Sequence, residues 1–291
     1  MNPFMTYQDI IKRGIPCETT PPDEAHTCEY CGKELPYRGV VPPGESVKRF
    51  YLASCDCEQA CAKRRQAREE EDIIMIKKAE AESREHYMKM LIADSGVKGI
   101  YQNATFDSFN ATTQEQKKAK MAIMKYAVDF SDFQNNPKEI KKGLFLHGSV
   151  GTGKTLLVSA LCNDLTRHGI RCVFITVDDM MGKIRETFKS DVSEMSVRNE
   201  YKNVPVLILD DLGKEKATDW HTSTLFDIID SRYSNGLITI VTANHNSETL
   251  KELLTPKGSK DGTKADAIIS RLIGASREII PMYWGDYRCI G

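Results

Sequence analysis

The stretch from Leu144 to Cys162, LFLHGSVGTGKTLLVSALC, restricts what this chain can fold into more than any other. Its GSVGTGKT segment fits G-x-x-x-x-G-K-[ST], with Gly148, Gly153, Lys154 and Thr155 at the fixed positions and Gly151 and Thr152 between them. Glycines there let backbone N–H groups curl around a phosphate, and a helix opening at the same point adds the positive end of its dipole. In this pattern Lys154 reaches the β- and γ-phosphates and the Thr155 hydroxyl ligates Mg²⁺. The apolar run before the motif and the helix-forming run after it supply the strand and helix that such a loop joins. The expected cofactors are therefore ATP and Mg²⁺.

The rest of the C-terminal part agrees. GLFLH (143–147), RCVFITV (171–177), VPVLILDD (204–211), LITIVTAN (237–244) and SREIIPM (276–282) are short runs rich in Ile, Val and Leu. They lack clean alternation, which suits a parallel sheet buried on both faces. Helical stretches separate them, one from Gly153 to about His168 and another over DDMMGKIRETF. Strands alternating with helices predict a three-layer α/β domain. The strand ending VLILDD places Asp210 beside the Mg²⁺ and leaves Asp211 to orient or polarise an attacking water. ITIVTAN ends on Asn244, and a polar residue at the carboxyl end of such a strand faces the ligand crevice. The other reading of Asn244 is a helix N-cap for NSETLKEL, where Ser247 is an equal candidate.

Residues 1–62 differ in character, holding prolines, turn residues and six of the nine cysteines, five of them clustered between Cys28 and Cys61. CEYCGKEL presents Cys28 and Cys31 on a turn, and CDC adds Cys55 and Cys57, with Cys61 as an alternative fourth ligand and His26 a weaker one. Four thiolates at about 2.3 Å from Zn²⁺ make a closed structural site. Residues 63–96 are dense in helix formers, lack proline and predict a helical linker ending near Ser95-Gly96, where glycine can adopt a left-handed C-cap. Residues 97–291 then form the ATPase domain.

Composition matters mainly for what it excludes. With a net charge of -1, any nucleic-acid surface has to be local. No apolar run is long enough to span a membrane. The N-terminus lacks the apolar core of a secretion signal. A cytoplasmic protein is expected, in which clustered cysteines bind metal rather than pair as disulfides.

Residues 96–291 resemble the AAA+ ATPases, most closely the DnaC/DnaI-type replicative helicase loaders and the related IstB-like ATPases. The resemblance rests on SGVKGIYQNATFDSF, LILDDLG, IIDSRYSNGLITIVTAN and IISRLIGASREIIPMYWGDYR. It implies an arginine finger at Arg271, reaching a neighbouring subunit's site, and a family position at Arg288 with no assigned role. It also implies a domain without the helical lid of most AAA+ proteins, since about twenty residues follow Arg271. The implied partners are a hexameric replicative DNA helicase gripped by the zinc domain, single-stranded DNA, and other copies of the chain. In such ATPases an extra helical element at the place of Asp178–Asn203 contacts single-stranded DNA. Lys183, Arg185, Lys189, Arg198 and Lys202, with Phe188 and Tyr201 for stacking, are its candidates here. The function implied is ATP-dependent helicase loading with slow hydrolysis acting as a switch, Asp211 standing where Glu is more usual. Two alternatives remain: an IstB-like transposase helper, and a non-hydrolysing zinc-dependent adaptor.

Overall fold

The computed structural model describes residues 17–18, 26–43, 46, 48–136, 138–189, 191–258 and 262–286. The chain divides into two compact units, Met1–Ser83 and Arg84–Gly291. The first holds two antiparallel ribbons, β1 (His26–Thr27) with β2 (Glu34–Leu35) and β3 (Tyr37–Val40) with β4 (Arg49–Leu52). A helix, α1 (Glu58–Asp94), follows and passes the unit boundary. It ends where the sequence places its stop, with Gly96 at φ 81°. Along its first-unit part, Ile73, Ile74, Met75 and Ile76 are exposed in succession.

The second unit contains α2 (Gln114–Val128), α3 (Phe130–Gln134), β5 (Gly143–Gly148), α4 (Lys154–Arg167), β6 (Cys172–Thr176) and α5 (Val177–Glu186). It continues through α6 (Glu194–Asn203), β7 (Val206–Leu212), α7 (Asp219–Ser234), β8 (Ile238–Ala243), α8 (Ser247–Leu254), α9 (Thr263–Ala275) and β9 (Ser276–Met282). All five strands run parallel in the order β6-β7-β8-β5-β9. Alternate residues of one strand serve opposite layers, which is why the apolar runs are continuous. Val206 and Ile208 of β7 join Leu157 and Leu161 of α4 in one core. Leu207 and Leu209 join Ile228 of α7 and Ile268 of α9 in the other. Among the described residues no helix follows β9.

One buried cation ties the layers together. Arg232 of α7 is fully buried, and its guanidinium donates to the carbonyls of Tyr201 and Val204 at 2.8 Å each. Its Nε reaches the Thr239 hydroxyl at 3.0 Å. The negative end of the α6 dipole and these carbonyls take the place of a carboxylate partner. Burial lowers the Arg232 pKa to about 9, still charged near neutrality.

Candidate nucleotide site and thiol cluster

The phosphate loop leaves β5 at Gly148, where an added Cβ would stand 1.9 Å from the Met282 carbonyl oxygen of β9. Lys154, the first residue of α4, folds back over the loop. Its Nζ donates to the carbonyls of Gly148 at 3.0 Å and Ser149 at 2.7 Å. Burial pulls the Lys154 pKa down, and Asp211 and Asp210 pull it back up without cancelling the shift.

The loop faces the end of β7. Thr155 donates its hydroxyl to Asp210, whose two carboxylate oxygens lie 3.2 and 3.1 Å away. Thr242 of β8 donates to Asp210 Oδ1 at 2.6 Å and accepts the Asp211 N–H at 3.0 Å. Burial raises the Asp210 pKa, and the Thr242 hydroxyl chiefly opposes it. Asp211 has φ 58°, the one non-glycine residue with positive φ among the described residues. The pairing of β7 with β8 slips at the same place, between Leu209 and Leu212. A non-glycine residue in that region costs about 1–3 kcal/mol and survives where its surroundings impose it. Here the turn sends the Asp211 carboxylate to Asn244, whose Nδ2 donates to Oδ1 at 3.3 Å. The other oxygen, Oδ2, lies 3.4 Å from Lys214 Nζ.

A cavity of about 820 Å³ is lined by the loop, Asp210, Asp211, Asn244, Ile100 and Tyr101. That lies within the range of about 300–1,000 Å³ usual for small-molecule sites. The loop side supplies the Lys154 ammonium and the far wall supplies two carboxylates, groups suited to a magnesium-bound triphosphate.

Arg271 stands apart from this cavity. On α9, it pairs with Asp230 of α7 at 2.6 Å, and its guanidinium lies 4.9 Å from the Phe226 ring centre. Arg288 is outside the described residues.

The helix-cap readings of Asn244 and Ser247 are corrected. Asn246 caps α8, its side chain accepting the Thr249 N–H at 3.0 Å. The basic and aromatic candidates of the 178–203 segment also divide. Tyr201 is buried, and Arg198 and Lys202 both pair with Asp227, at 3.5 and 2.7 Å. Lys183, Arg185, Phe188 and Lys189 remain exposed. Phe188 meets Trp220 edge-on at 5.9 Å, and the Arg185 guanidinium lies 6.0 Å from the same indole.

In the first unit, the thiols of Cys28, Cys31, Cys55 and Cys57 all lie within 4.8 Å of one another. Tetrahedral zinc with Zn–S of about 2.3 Å sets its sulfurs about 3.8 Å apart. Cys28 to Cys57 is 3.7 Å and Cys31 to Cys55 is 3.4 Å, so the four residues fit such an ion. N–H groups of Tyr30 and then Cys31 lower the Cys28 pKa to about 7. Cys61 is turned to Arg64, whose Nη2 donates to its sulfur at 3.2 Å. His26 packs beside Tyr37 instead, their ring centres 5.8 Å apart.

Two residues of this region were missed in the sequence. Thr242 holds both aspartates, and the signal that marks Asn244, a polar group at a strand's carboxyl end, marks it as well. Trp220 lies in α7, far in sequence from Phe188, and only folding joins them.

A phosphate loop at the carboxyl end of an inner parallel strand, opposed by carboxylates two strands over with β8 between them, defines a P-loop nucleotide-binding domain of the AAA+ type. The chain belongs to the family described as IstB-like ATP binding protein, whose model matches residues 60–288. It is 30% identical to the replicative helicase loader DnaC of Escherichia coli K12 over 176 residues, 60% of this chain and 69% of that one. It is 27% identical to the replicative helicase loader DnaI of Bacillus subtilis 168 over 173 residues, 57% of this chain and 55% of that one. Among solved structures, a DnaI crystal structure aligns with TM-score 0.53 at 26% identity, over 65% of this chain and 93% of the other. The crystal structure of the DnaC helicase loader aligns with TM-score 0.52 at 28% identity, over 64% of this chain and 99% of the other.

Proposed function

We propose that this protein is an ATP-dependent loader of a hexameric replicative DNA helicase onto single-stranded DNA in the cytoplasm, with hydrolysis acting as a switch. The observation that carries the reading is the linked set Thr155, Asp210, Thr242, Asp211 and Asn244, facing the phosphate loop of a chain whose relatives are named helicase loaders.

In this reading Gly148, Gly151, Thr152 and Gly153 shape the phosphate cradle, and Lys154 pairs with the β- and γ-phosphates. Thr155 and Asp210 hold Mg²⁺, which neutralises charge on the phosphates. Asp211 orients the water, and Asn244 steers Asp211. Asn244 and Lys214 each engage one Asp211 oxygen and compete with a water for the carboxylate. That supports slow turnover awaiting a partner. Arg271 is the finger for a neighbouring copy, where such a residue is worth about 10³–10⁵ in rate. Single-stranded DNA lies along Lys183, Arg185, Phe188 and Lys189, with Trp220 as an added stacking surface.

Residues 1–62 form the zinc-stabilised, helicase-gripping domain, 63–96 the helical linker and 97–291 the ATPase domain. The test is size-exclusion chromatography with light scattering on this protein mixed with its host's replicative helicase, with ATP and with or without a zinc chelator. Co-elution that disappears on chelation is the expected result. Absence of co-elution in every condition overturns the reading. The IstB-like family match then favours the transposase-helper alternative.

A further inference from the structure

The segment just beyond β9 touches the phosphate loop from the side away from the cavity. Ser149 donates its N–H to the Met282 carbonyl at 3.1 Å. Trp284 donates its indole N–H to the Thr152 carbonyl at 3.1 Å, and its ring packs against the core shared by β5 and α4. At Gly151, with φ 79°, an added Cβ would lie 2.2 Å from an oxygen of the Asp286 carboxylate. Tyr283 adds a hydroxyl 3.0 Å from Nδ1 of His147, the residue before the loop. Neither Trp284 nor Asp286 lines the nucleotide cavity.

We propose that Tyr283–Asp286 is a strap that fixes the shape of the phosphate loop from outside, with Trp284 as its positioning residue. A peptide unit is planar, and in its trans form the C=O and N–H point in opposite directions. No cis peptide is present among the described residues. The indole that holds the Thr152 carbonyl outward therefore turns the Gly153 N–H inward, toward the phosphates. Lys154 acts differently on the preceding part of the loop: it lines the cavity and holds the Gly148 and Ser149 carbonyls from that side, while the Ser149 N–H is spent on the Met282 carbonyl. The cradle works only while its N–H groups converge, and a loop rich in glycine has little backbone preference to keep them so. Trp284 provides that constraint at the one peptide joining Thr152 to Gly153. Asp286 occupies the space where a side chain at position 151 would stand, so the strap and the glycine fit each other.

The inference rests on the nucleotide-site reading, and one set of titrations separates the two. Mg·ADP binding is measured calorimetrically for the wild-type protein, Lys154→Ala and Trp284→Phe, with circular dichroism melts of each. Phenylalanine removes the donor and keeps an aromatic ring, smaller than the indole, against the core. Trp284→Phe is expected to weaken Mg·ADP binding by about 2–10-fold, the range for one neutral hydrogen bond, with the second unit still folding cooperatively in the melt. Wild-type affinity in a folded Trp284→Phe overturns the strap alone. Failure of the wild-type protein to bind Mg·ADP overturns the nucleotide site itself. The chain has two tryptophans, so Trp220→Phe leaves Trp284 as the single emitter. Its fluorescence is expected to shift on Mg·ADP addition, and an unchanged spectrum at saturating Mg·ADP counts against the strap even if Trp284→Phe does not fold.

Discussion

The thiol cluster of the first unit and the phosphate loop of the second are each suited to hold an ion, and they keep their shape by different means. Around the thiols the buried apolar cluster is Cys28, Cys55 and Ala60, with Leu35 and Cys57 at its edge. Three of those five side chains are themselves candidate ligands. The phosphate loop instead hangs between β5 and α4, whose Leu144, Leu146, Leu157 and Leu161 are all fully buried in a large core. One site has little structure apart from its ligand, whereas the other is fixed by packing before a ligand arrives. A small unit with so little apolar area to bury cannot offset its chain entropy without a staple.

The largest expected effect breaks that comparison at its weaker side. Stripping metal with a strong chelator, or replacing Cys28 and Cys57 by Ser, removes binding energy of about 10–16 kcal/mol that a structural zinc contributes to folding. Hydrogen exchange should then show loss of protection across residues 26–57 and retained protection in β5 and α4. Mg·ADP affinity should stay within about twofold. Equal loss in both units would mean that the second does not stand on its own core.

Next in size is Arg232→Leu, which strikes the packed side. The change leaves the carbonyls of Tyr201, Val204 and Ile238 without their donor. Each unsatisfied buried group costs about 1–3 kcal/mol, so a loss of at least about 3 kcal/mol is expected in urea unfolding. The first unit should be untouched. A loss under about 1 kcal/mol would show that water reaches these carbonyls and that the buried cation is no clamp.

Thr242→Val sits between fold and chemistry. It keeps the side-chain shape, removes the donor to the buried Asp210, and leaves the Asp211 N–H without its acceptor. Stability should fall by about 1–3 kcal/mol. The Mg²⁺ dependence of nucleotide binding should weaken, read by titrating ADP at several Mg²⁺ concentrations. An unchanged Mg²⁺ dependence would detach Thr242 from the metal-facing edge of the site.

How much of this was legible in the sequence follows the same division between local and assembled features. The phosphate loop, the strands and the end of α1 are local patterns, and each lies within a residue or two of its expected place. Which charges are spent in ion pairs is not local. Arg198 and Lys202 look as available in the sequence as Arg185, yet Asp227 of α7 takes both. Tyr201 reads as a stacking residue until its helix packs against the core. Arg232 looks like an ordinary helix arginine, because the carbonyls that need it belong to three other segments. The cap of α8 was missed, lying two residues after Asn244 and one before Ser247, because Asn244, Asn246 and Ser247 are equivalent by type and only the chain direction after β8 separates them.

The smallest expected effect tests whether the packed site is also a restrained one. Lys214 is exposed and 3.4 Å from Asp211 Oδ2. An exposed pair of this kind contributes about 0.2–1 kcal/mol, so Lys214→Ala should leave unfolding nearly unchanged. If the lysine holds Asp211 away from water, its removal should raise the basal ATP hydrolysis rate of the isolated protein by about 2–5-fold, a change within that energy range. Nucleotide affinity should stay constant, because Lys214 acts on the water-facing carboxylate and not on the loop. High salt should have the same effect on the wild-type protein and little on the variant, since the screened interaction would already be gone. A lower rate in Lys214→Ala would reverse the assignment and make the lysine an aid to turnover. The proposed slow turnover would then rest on the proposed Arg271 finger alone, and Arg271→Ala should lower hydrolysis only under conditions where copies of the chain associate.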